Sequence, residues 1–399
     1  MLYARALVMS VLAFGAVGLG CKDKEPEKAA PPTAETKVSA APASDTITIG
    51  HIASLTGNEA TFGQSGDNGI KLAIEEQNQK NGIKGKKLVL KTLDDQGKPE
   101  EAAVAATRLT TQDHATVLLG EIASSRSLAM APIADNNKVP MISPASTNVK
   151  VTKDGDKVRP FVFRVCYIDP FQGTVMAKFA AENKKYKKVA VLRDVGNDYS
   201  VGLANFFTAK FKELGGEIVD DVSYKAGDQD FKAQLTKFKS KNPDALYVPG
   251  YYTDVALIAR QARELGLKQI LMGGDGWDSA KLYEISKGAL DGSYFSNHYS
   301  PEDTSPVVQD FITKYKAAYG AVPDALAVLS YDAAKVAFDA MEKAKELTGP
   351  SIREALEETK GFKGVSGSIT FDKEHNATKS AVVIGIEKNV GKYATTVNP

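Results

Sequence analysis

Residues 46–93 read TITIGHIASLTGNEATFGQSGDNGIKLAIEEQNQKNGIKGKKLVLKTL, and two kinds of hydrophobic spacing alternate within them. Thr46–Ile52 is a short β-type run, and Lys87–Leu93 is another. Between the two runs, Ile70 and Ile74 lie four residues apart, on one face of an amphipathic helix. A strand, a helix and a second strand in this order predict two parallel strands joined by a right-handed crossover.

The same alternation continues along the chain. Further strands are predicted at Thr116–Gly120, Val139–Ser143, Lys188–Asp194, Glu217–Tyr224, Asp244–Pro249 and Gln269–Gly273, and after the last helices at Ser368–Asp372 and Ser380–Glu387. Further helices are predicted at Pro99–Gln112, Ser124–Asn136, Tyr199–Leu214, Asp230–Lys241, Asp254–Leu265, Ser305–Tyr319, Ala325–Glu346 and Ser351–Lys360. A chain of 399 residues is too long for one ordinary hydrophobic core. We therefore expect an α/β protein with two doubly wound, parallel-sheet lobes.

The N-terminus has the layout of an export signal. Arg5 precedes the apolar run Ala6–Leu19, which is too short to span a bilayer and ends in small residues before Cys21. A cysteine at this place predicts a lipoprotein, with residues 1–20 removed as a signal peptide and the Cys21 thiol acylated. Residues 21–45 are rich in Ala, Pro, Lys and Glu without apolar periodicity, which predicts a disordered linker to a membrane. Plain secretion is the alternative.

Composition excludes several classes of function. The net charge of +1 gives no basic surface for nucleic acid. Neither a phosphate-binding G-x-x-x-x-G-K-[ST] loop, nor a dinucleotide-binding G-x-G-x-x-G turn, nor a G-x-S-x-G nucleophile elbow is present. The four histidines lack metal-ligand spacing: His51, His114, His298 and His375. We expect no enzyme, cofactor or metal.

Two further groups have simple structural interpretations. Cys166 lies in the apolar run Phe161–Tyr167 and is predicted to be a small core residue rather than a catalytic thiol. Asp94 and Asp95 are adjacent at the end of a predicted strand, so their side chains point to opposite faces. We interpret this pair as a solvated loop end.

The loops that follow the predicted strands resemble those of a known family. The resemblance extends from about Thr46 to the C-terminus, and it is carried by the order and spacing of the motifs together. The matching stretches are GHIASLTGNEATFGQSGDNGIKLAIEEQN (Gly50–Asn78), NGIKGKKLVLKTLDDQGKPEEA (Asn81–Ala102), GEIASSRSLAMAPIAD (Gly120–Asp135), VPMISPAST (Val139–Thr147), FRVCYIDPFQG (Phe163–Gly173) and LMGGDGWDS (Leu271–Ser279). They resemble the substrate-binding proteins of branched-chain (hydrophobic) amino acid ABC transporters, the leucine/isoleucine/valine-binding-protein family.

The resemblance implies the type I periplasmic binding protein fold, in which three crossovers form a hinge between two lobes. The first lobe would combine residues 46–166 with 299–372, and the second would combine 167–298 with 373–399. The crossings are expected near Val165–Tyr167, Asn297–Tyr299 and Phe371–Glu374.

The resemblance also implies polar ligand-binding residues on the strand-end loops. Ser124 opens a helix after a strand, where its hydroxyl and the free N–H groups can receive a carboxylate. Capping its own helix is the alternative. Ala145 would offer a backbone carbonyl and Thr147 a hydroxyl. Asp275 lies between two glycines and would hold an ammonium group by a charge-assisted hydrogen bond. A turn aspartate is the alternative.

Aromatic residues complete the implied site. Phe62, Tyr199 and Tyr251 would form walls around an apolar ligand side chain. Trp277, the single tryptophan, is expected as a lid over that side chain or as a rim residue. Three residues near the first crossing are also expected at the cleft: Tyr167, Asp169 and Gln172.

Two departures from the family pattern bear on the ligand. A known member has a disulfide at the places occupied here by Gly97 and Ala123. Glu121 adds a negative charge beside the carboxylate site if its side chain points inward.

The implied function is an extracytoplasmic receptor that captures a branched-chain or other hydrophobic amino acid. Its partners would be the membrane permease and the ATPase subunits of an ABC importer, and Cys21 would anchor it to a membrane. The alternatives are ligands such as short amides, γ-amino acids or aromatic acids, a sensory receptor on the same fold, and an enzyme that uses cleft residues.

Overall fold

The computed structural model describes residues 45–399. The predicted signal peptide, the predicted acylation site at Cys21 and all of the predicted linker except its last residue lie outside the described residues. Within them, the helices are α1 Ala60–Gln79, α2 Pro99–Thr111, α3 Ser124–Asn137, α4 Asp169–Lys178, α5 Asp198–Glu213, α6 Lys232–Lys241, α7 Tyr252–Glu264, α8 Ala280–Ser286, α9 Pro306–Tyr319, α10 Ala325–Lys343 and α11 Gly349–Glu357.

The strands of residues 45–399 are short, as the sequence predicts. They are β1 Thr46–Ala53, β2 Lys87–Asp94, β3 Val117–Leu119, β4 Met141–Ser143, β5 Lys153–Asp154, β6 Lys157–Val158, β7 Val162–Arg164, β8 Lys188–Asp194, β9 Glu217–Tyr224, β10 Ala245–Tyr247, β11 Ile270–Gly273, β12 Tyr294–Asn297, β13 Phe362–Gly364, β14 Gly367–Ile369, β15 Ala381–Glu387 and β16 Val390–Val397.

Two larger sheets organise the chain. The first has the strand order β2-β1-β3-β4-β7 and is parallel throughout. The second has the order β16-β15-β12-β11-β10-β8-β9. Its strands from β8 to β12 pair in parallel, whereas β15 and β16 add an antiparallel hairpin at one edge. The expected α/β architecture of two wound sheets is confirmed, with this hairpin as an addition.

Three chain segments pass from one sheet to the other. The first follows β7, the second follows β12, and the third precedes β15. After the second passage, α10 packs against α1 and against the strands β3 and β4 of the first sheet. The lobe boundaries expected from the family resemblance stay predictions.

The helix α1 has an amino-acid sequence that fits its packing against α10. Its buried face includes Ile70, Ala73 and Ile74, as the spacing predicts. Gly69 lies where α1 meets α10, and a Cβ atom there would come within 2.2 Å of the Ala327 carbonyl oxygen. The close approach of the two helices therefore requires glycine at this position.

Cys166 is fully buried, as predicted for a core residue. Burial raises the pKa of its thiol to about 12, because the low-dielectric interior disfavours the thiolate. The thiol is therefore protonated at neutral pH. Within residues 45–399, no helix combines the length and the hydropathy needed to cross a bilayer.

Candidate functional site

A small cavity lies where the strand-end loops of the two sheets meet. Its walls come from both sheets, because some lining residues lie on α1, α3 and the β4 loop, whereas others lie on α5 and on the loops after β10 and β11. The lining residues are Phe62, Ile122, Ser124, Ala145, Tyr199, Tyr251, Asp275, Gly276 and Leu326. Six of the residues expected from the sequence thus share one cavity.

The cavity is nearly closed. Its volume is about 10 Å³, which is about the space that one water molecule needs. An amino acid is far larger, so its entry requires the walls to separate. Because these walls belong to two sheets joined by three passages of the chain, movement between the sheets would open the cavity.

Hydrogen bonds between the two sides surround the cavity. Each joins a residue packed on the first sheet to one packed on the second. They connect Ser125 Oγ with Asp198 Oδ2 (3.1 Å) and Asp198 N with Ser125 Oγ (3.0 Å), Asn148 Nδ2 with the Asp198 carbonyl (2.7 Å), Thr61 Oγ1 with Ser279 Oγ (2.9 Å), and Thr253 Oγ1 with the Asn58 carbonyl (2.7 Å). The structure is therefore closed over the site.

Ser124 is the first residue of α3 and is buried beside the cavity. Its Oγ accepts a hydrogen bond from the backbone N of Asn148 at 3.2 Å. The cap position of the helix is Ala123, which has no side-chain capping bond. The alternative that Ser124 caps its own helix is therefore wrong. Ser124, in the first turn of α3, and Ala145 both line the cavity.

Thr147 is fully buried but does not line the cavity. Its carbonyl accepts a hydrogen bond from the backbone N of Asp169 at 2.9 Å, and its side chain faces the Asp169 carboxyl group. Burial raises the pKa of Asp169 to about 8, and the Thr147 hydroxyl only partly offsets this effect. Asp169 was expected near the first passage between the sheets. It lies there, fully buried next to Thr147.

Asp275 begins a short 3₁₀ turn after β11 and is buried in the opposite wall. Its Oδ1 accepts from Gln172 Nε2 at 2.8 Å, and its Oδ2 lies 2.9 Å from His298 Nε2. A Cβ atom on Gly274 would come within 2.4 Å of the Tyr199 hydroxyl oxygen. The close packing predicted from the flanking glycines is confirmed. Asp275 does lie in a turn, as the alternative expected, but its carboxylate is buried, and its role in ligand binding stays a prediction.

An aromatic wall joins the two sides. The rings of Tyr199 and Tyr251 stack with centroids 5.3 Å apart, and Phe62 meets Tyr251 edge-on at 5.4 Å. The backbone N of Gly276 donates to the Tyr199 hydroxyl at 3.2 Å, which fixes the ring beside Asp275. Edge-to-face and stacked rings at these separations attract each other beyond simple area burial.

Two apolar lining residues were missing from the sequence interpretation: Ile122 and Leu326. Ile122 lies in the motif Gly120–Asp135, directly after β3. Its position in this strand-end loop could have identified it as a site residue. Leu326 lies in the first turn of α10, far along the chain, and only the packing of α10 against α1 brings it to the cavity. Together they give the site an aliphatic surface.

Trp277 does not line the cavity, so its expected role as lid or rim is corrected. The side chain is fully buried, and its Nε1 donates to the Val248 carbonyl at 3.0 Å. Its ring packs 5.9 Å from that of Phe295 and directly against Gly273, where a Cβ atom would come within 2.1 Å of it. Glycine at residue 273 leaves room for the indole inside the core, behind the Asp275 turn.

Tyr167 also lies outside the cavity lining. Its ring stacks on that of His298 with centroids 3.7 Å apart and an interplanar angle of 21°. Because His298 contacts Asp275, Tyr167 supports the site from one residue away. The expectation that Tyr167 lines the cleft is corrected in this respect.

Glu121 points inward, but it has a cationic partner. Its Oε2 lies 3.0 Å from Arg126 Nε, and its carboxylate also accepts from the backbone N of Ser54 (3.1 Å) and of Ala123 (2.5 Å). Arg126 is buried as well, and its Nη1 lies 3.4 Å from Glu59 Oε2. The charge of Glu121 is therefore neutralised within the first-sheet wall. The sequence interpretation did not identify Arg126.

The Arg126 side chain also links the segments that a disulfide joins in the known family member. Its Nη1 donates to the Gly97 carbonyl at 3.2 Å, and its helix follows Ala123 directly. Asp95 lies in the same cluster and is fully buried, so the solvated position expected for it is corrected. Burial and the charge of Glu121 raise the pKa of Asp95 to about 7.

Comparisons with known proteins agree with this fold. A family model described as periplasmic binding protein matches residues 46–389. The chain is 32% identical to a Leu/Ile/Val-binding protein homologue of Brucella melitensis, over 82% of this chain and 87% of that protein.

Two solved structures are similar over most of the chain. A leucine-binding protein from Thermotoga maritima superposes with a TM-score of 0.85 and 44% identity, covering 89% of this chain and 99% of the other. A branched-chain amino acid transporter substrate-binding protein from Streptococcus pneumoniae, in complex with isoleucine, gives a TM-score of 0.83 and 33% identity, covering 89% and 100%.

Proposed function

The chain belongs to the periplasmic binding protein family, and from this premise we propose that it is the extracytoplasmic solute-binding protein of an ABC importer. Its ligand is a branched-chain or other hydrophobic amino acid, held between the two sheets. One observation carries the proposal: a helix N-terminus with Ser124, the Asp275 carboxylate and an aromatic and aliphatic wall all line one cavity.

The polar groups match the two ends of a zwitterion. The first turn of α3 offers N–H groups and the positive end of the helix dipole, which favour the ligand carboxylate. Asp275 supplies a negative charge from the opposite wall, which favours the ammonium group by a charge-assisted hydrogen bond. The backbone carbonyl of Ala145, a residue that lines the cavity, is a further partner for the amino group.

The remaining surface fits an apolar side chain. Phe62, Tyr199, Tyr251, Ile122 and Leu326 provide aromatic and aliphatic contacts without a charged group of their own. A pocket of this kind fixes the ligand by a few polar contacts and gains affinity from burial of its apolar part. Neutral, hydrophobic amino acids are the solutes that match both the polar contacts and the apolar surface.

The two sheets are the cores of the two lobes in this proposal. Residues 46–166 and 299–372 form the first lobe, and residues 167–298 and 373–399 form the second. The three passages between them act as the hinge. A ligand that contacts both lobes stabilises the closed form by its higher affinity for that form, and the permease of the importer, together with its ATPase subunits, would recognise the closed surface. The chain itself carries out no reaction.

Calorimetric titration tests the ligand class. The protein is unfolded and refolded to remove any carried solute and is then titrated with each of the twenty amino acids. Saturable binding of Leu, Ile or Val is expected, with little response to charged amino acids. Silence toward Leu, Ile, Val, Phe and Ala would contradict the proposal. Short amides, γ-amino acids and aromatic acids are titrated in parallel, and binding of one of these alone would assign a different ligand to the same site.

Membrane attachment through Cys21 is a separate part of the proposal, which rests on the sequence of residues 1–45. Cys21→Ser is expected to move the protein from the membrane fraction to the soluble fraction and to leave its ligand affinity unchanged. Cys166→Ala is the matched control, because Cys166 is a buried core thiol. That variant should stay in the membrane fraction. Equal fractionation of the wild type and Cys21→Ser would contradict the lipid anchor.

A further inference from the structure

Both oxygens of the Asp275 carboxylate have a side-chain partner. Gln172 Nε2 donates to Oδ1 at 2.8 Å, and His298 Nε2 lies 2.9 Å from Oδ2. All three side chains are buried, with exposed fractions of 4% for Asp275, 0% for Gln172 and 3% for His298. A carboxylate held at both oxygens has a fixed orientation, so these two partners decide where its charge is presented.

The two partners lie at two different passages between the sheets. Gln172 is in the first turn of α4, directly after the chain leaves the first sheet, and its Nε2 also donates to Ser296 Oγ at 3.0 Å. His298 follows β12 directly, where the chain leaves the second sheet. The ring of His298 is fixed by stacking on Tyr167 at 3.7 Å. The orientation of Asp275 therefore depends on segments that must change when the two sheets move apart.

The chemistry of the pair assigns the proton on His298. An ionised carboxylate only accepts hydrogen bonds, so Nε2 of the imidazole carries the hydrogen. Burial lowers the pKa of His298, and the adjacent Asp275 carboxylate only partly opposes this effect. The imidazole is thus neutral at neutral pH. It orients the carboxylate without cancelling its negative charge, which remains available to an ammonium group.

We propose that His298 is a positioning residue for the amino end of the ligand. Together with Gln172, it holds the Asp275 carboxylate in the direction of the bound ammonium group. Because His298 lies at the second passage between the sheets, recognition of the ammonium group depends on the conformation of that passage. The proposal rests on the proposed function, since it concerns the same cavity.

Two substitutions at His298 separate positioning from packing. His298→Leu keeps apolar bulk and removes the donor, whereas His298→Gln keeps an N–H donor at a similar reach. The probes are leucine and 2-hydroxy-4-methylpentanoate, which has a hydroxyl in place of the ammonium group. His298→Leu is expected to weaken leucine binding about tenfold, as for a lost hydrogen bond to a charged group. Binding of the hydroxy acid, measured by displacement where weak, should change by less than about twofold, because it places no charge at Asp275.

Two further variants, His298→Gln and Gln172→Leu, extend the test. His298→Gln is expected to retain most of the wild-type preference for leucine over the hydroxy acid. Gln172→Leu, which removes the donor to the other oxygen, should reduce that preference in the same direction as His298→Leu. If His298→Leu fails to fold, the Gln172→Leu and His298→Gln variants still decide the proposal.

His375 provides the matched control. It is a buried histidine whose ring stacks on Phe163 at 4.0 Å, and its Nδ1 lies 3.1 Å from the Val162 carbonyl, away from Asp275. His375→Leu should lower thermal stability but leave the preference for the ammonium ligand unchanged. Equal losses for leucine and the hydroxy acid in His298→Leu would overturn the positioning role. Failure of the wild type to bind leucine would instead overturn the proposed function.

Discussion

Replacing Asp275 with asparagine is expected to weaken leucine binding by about a hundredfold or more at neutral pH, because a buried ion pair would lose one partner. Asparagine has nearly the same shape, so the packing of the turn between Gly274 and Gly276 is preserved. The ligand's ammonium group would then be desolvated in the closed cavity without an opposite charge. Calorimetric titration of the variant with leucine measures the loss.

Asp254→Asn is the control for removal of a buried carboxyl group. Asp254 lies on α7, is buried, and accepts from the backbone N of Gly227 at 3.3 Å, but it does not line the cavity. Its substitution should leave leucine affinity within about threefold of the wild type, as expected for a site without shared contacts. An unchanged affinity in Asp275→Asn would mean that the amino group binds elsewhere.

Replacing Trp277 with alanine is expected to lower the free energy of unfolding by about 4 kcal/mol, the usual cost of removing a large aromatic side chain from a core. The fully buried indole fills the space beside Gly273 and Phe295, and its N–H satisfies the Val248 carbonyl. Urea denaturation followed by circular dichroism measures the change, since the variant has no tryptophan left for fluorescence.

The variant Trp277→Phe distinguishes the packing and hydrogen-bond contributions. It retains an aromatic ring but removes the indole N–H that donates to the Val248 carbonyl, which keeps its other hydrogen bond, from the backbone N of Gly250. A loss of about 2 kcal/mol is expected. A lid residue would behave differently, because its removal would reduce ligand affinity with little effect on the stability of the unliganded protein. That result would restore the role first expected for Trp277.

Regular secondary structure was predictable wherever hydrophobic spacing was clear. The strands β8 and β9 begin and end at the residues predicted from their apolar runs. The helix α4 was missed because DPFQGTVMAK has no continuous apolar face. The strand β16 was missed because this edge strand is mostly exposed, so its sequence VGKYATTV lacks a buried, alternating pattern. Contacts with neighbouring elements, rather than local sequence, define both: α4 packs against α5, and β16 pairs with β15.

The site was predictable to the extent that it follows from topology. Ser124 and Asp275 are far apart in sequence, yet the carboxyl ends of parallel strands bring such loops together. The burial of Trp277 depends on the space above Gly273, which sequence spacing does not reveal. Arg126 and His298 were not identified for a related reason. Their roles come from partners at Glu121 and Asp275, and those pairings exist only in the folded chain.

The hydrogen bonds between Ser125 and Asp198, and between Thr61 and Ser279, have a kinetic consequence. A solute bound behind these hydrogen bonds cannot diffuse out while they persist, so its escape must wait for the two sides to separate. The dissociation rate is then an opening rate, shared by all ligands that permit full closure. Ligands that prevent these bonds from forming would leave sooner, and residence time would discriminate between solutes of similar contact area.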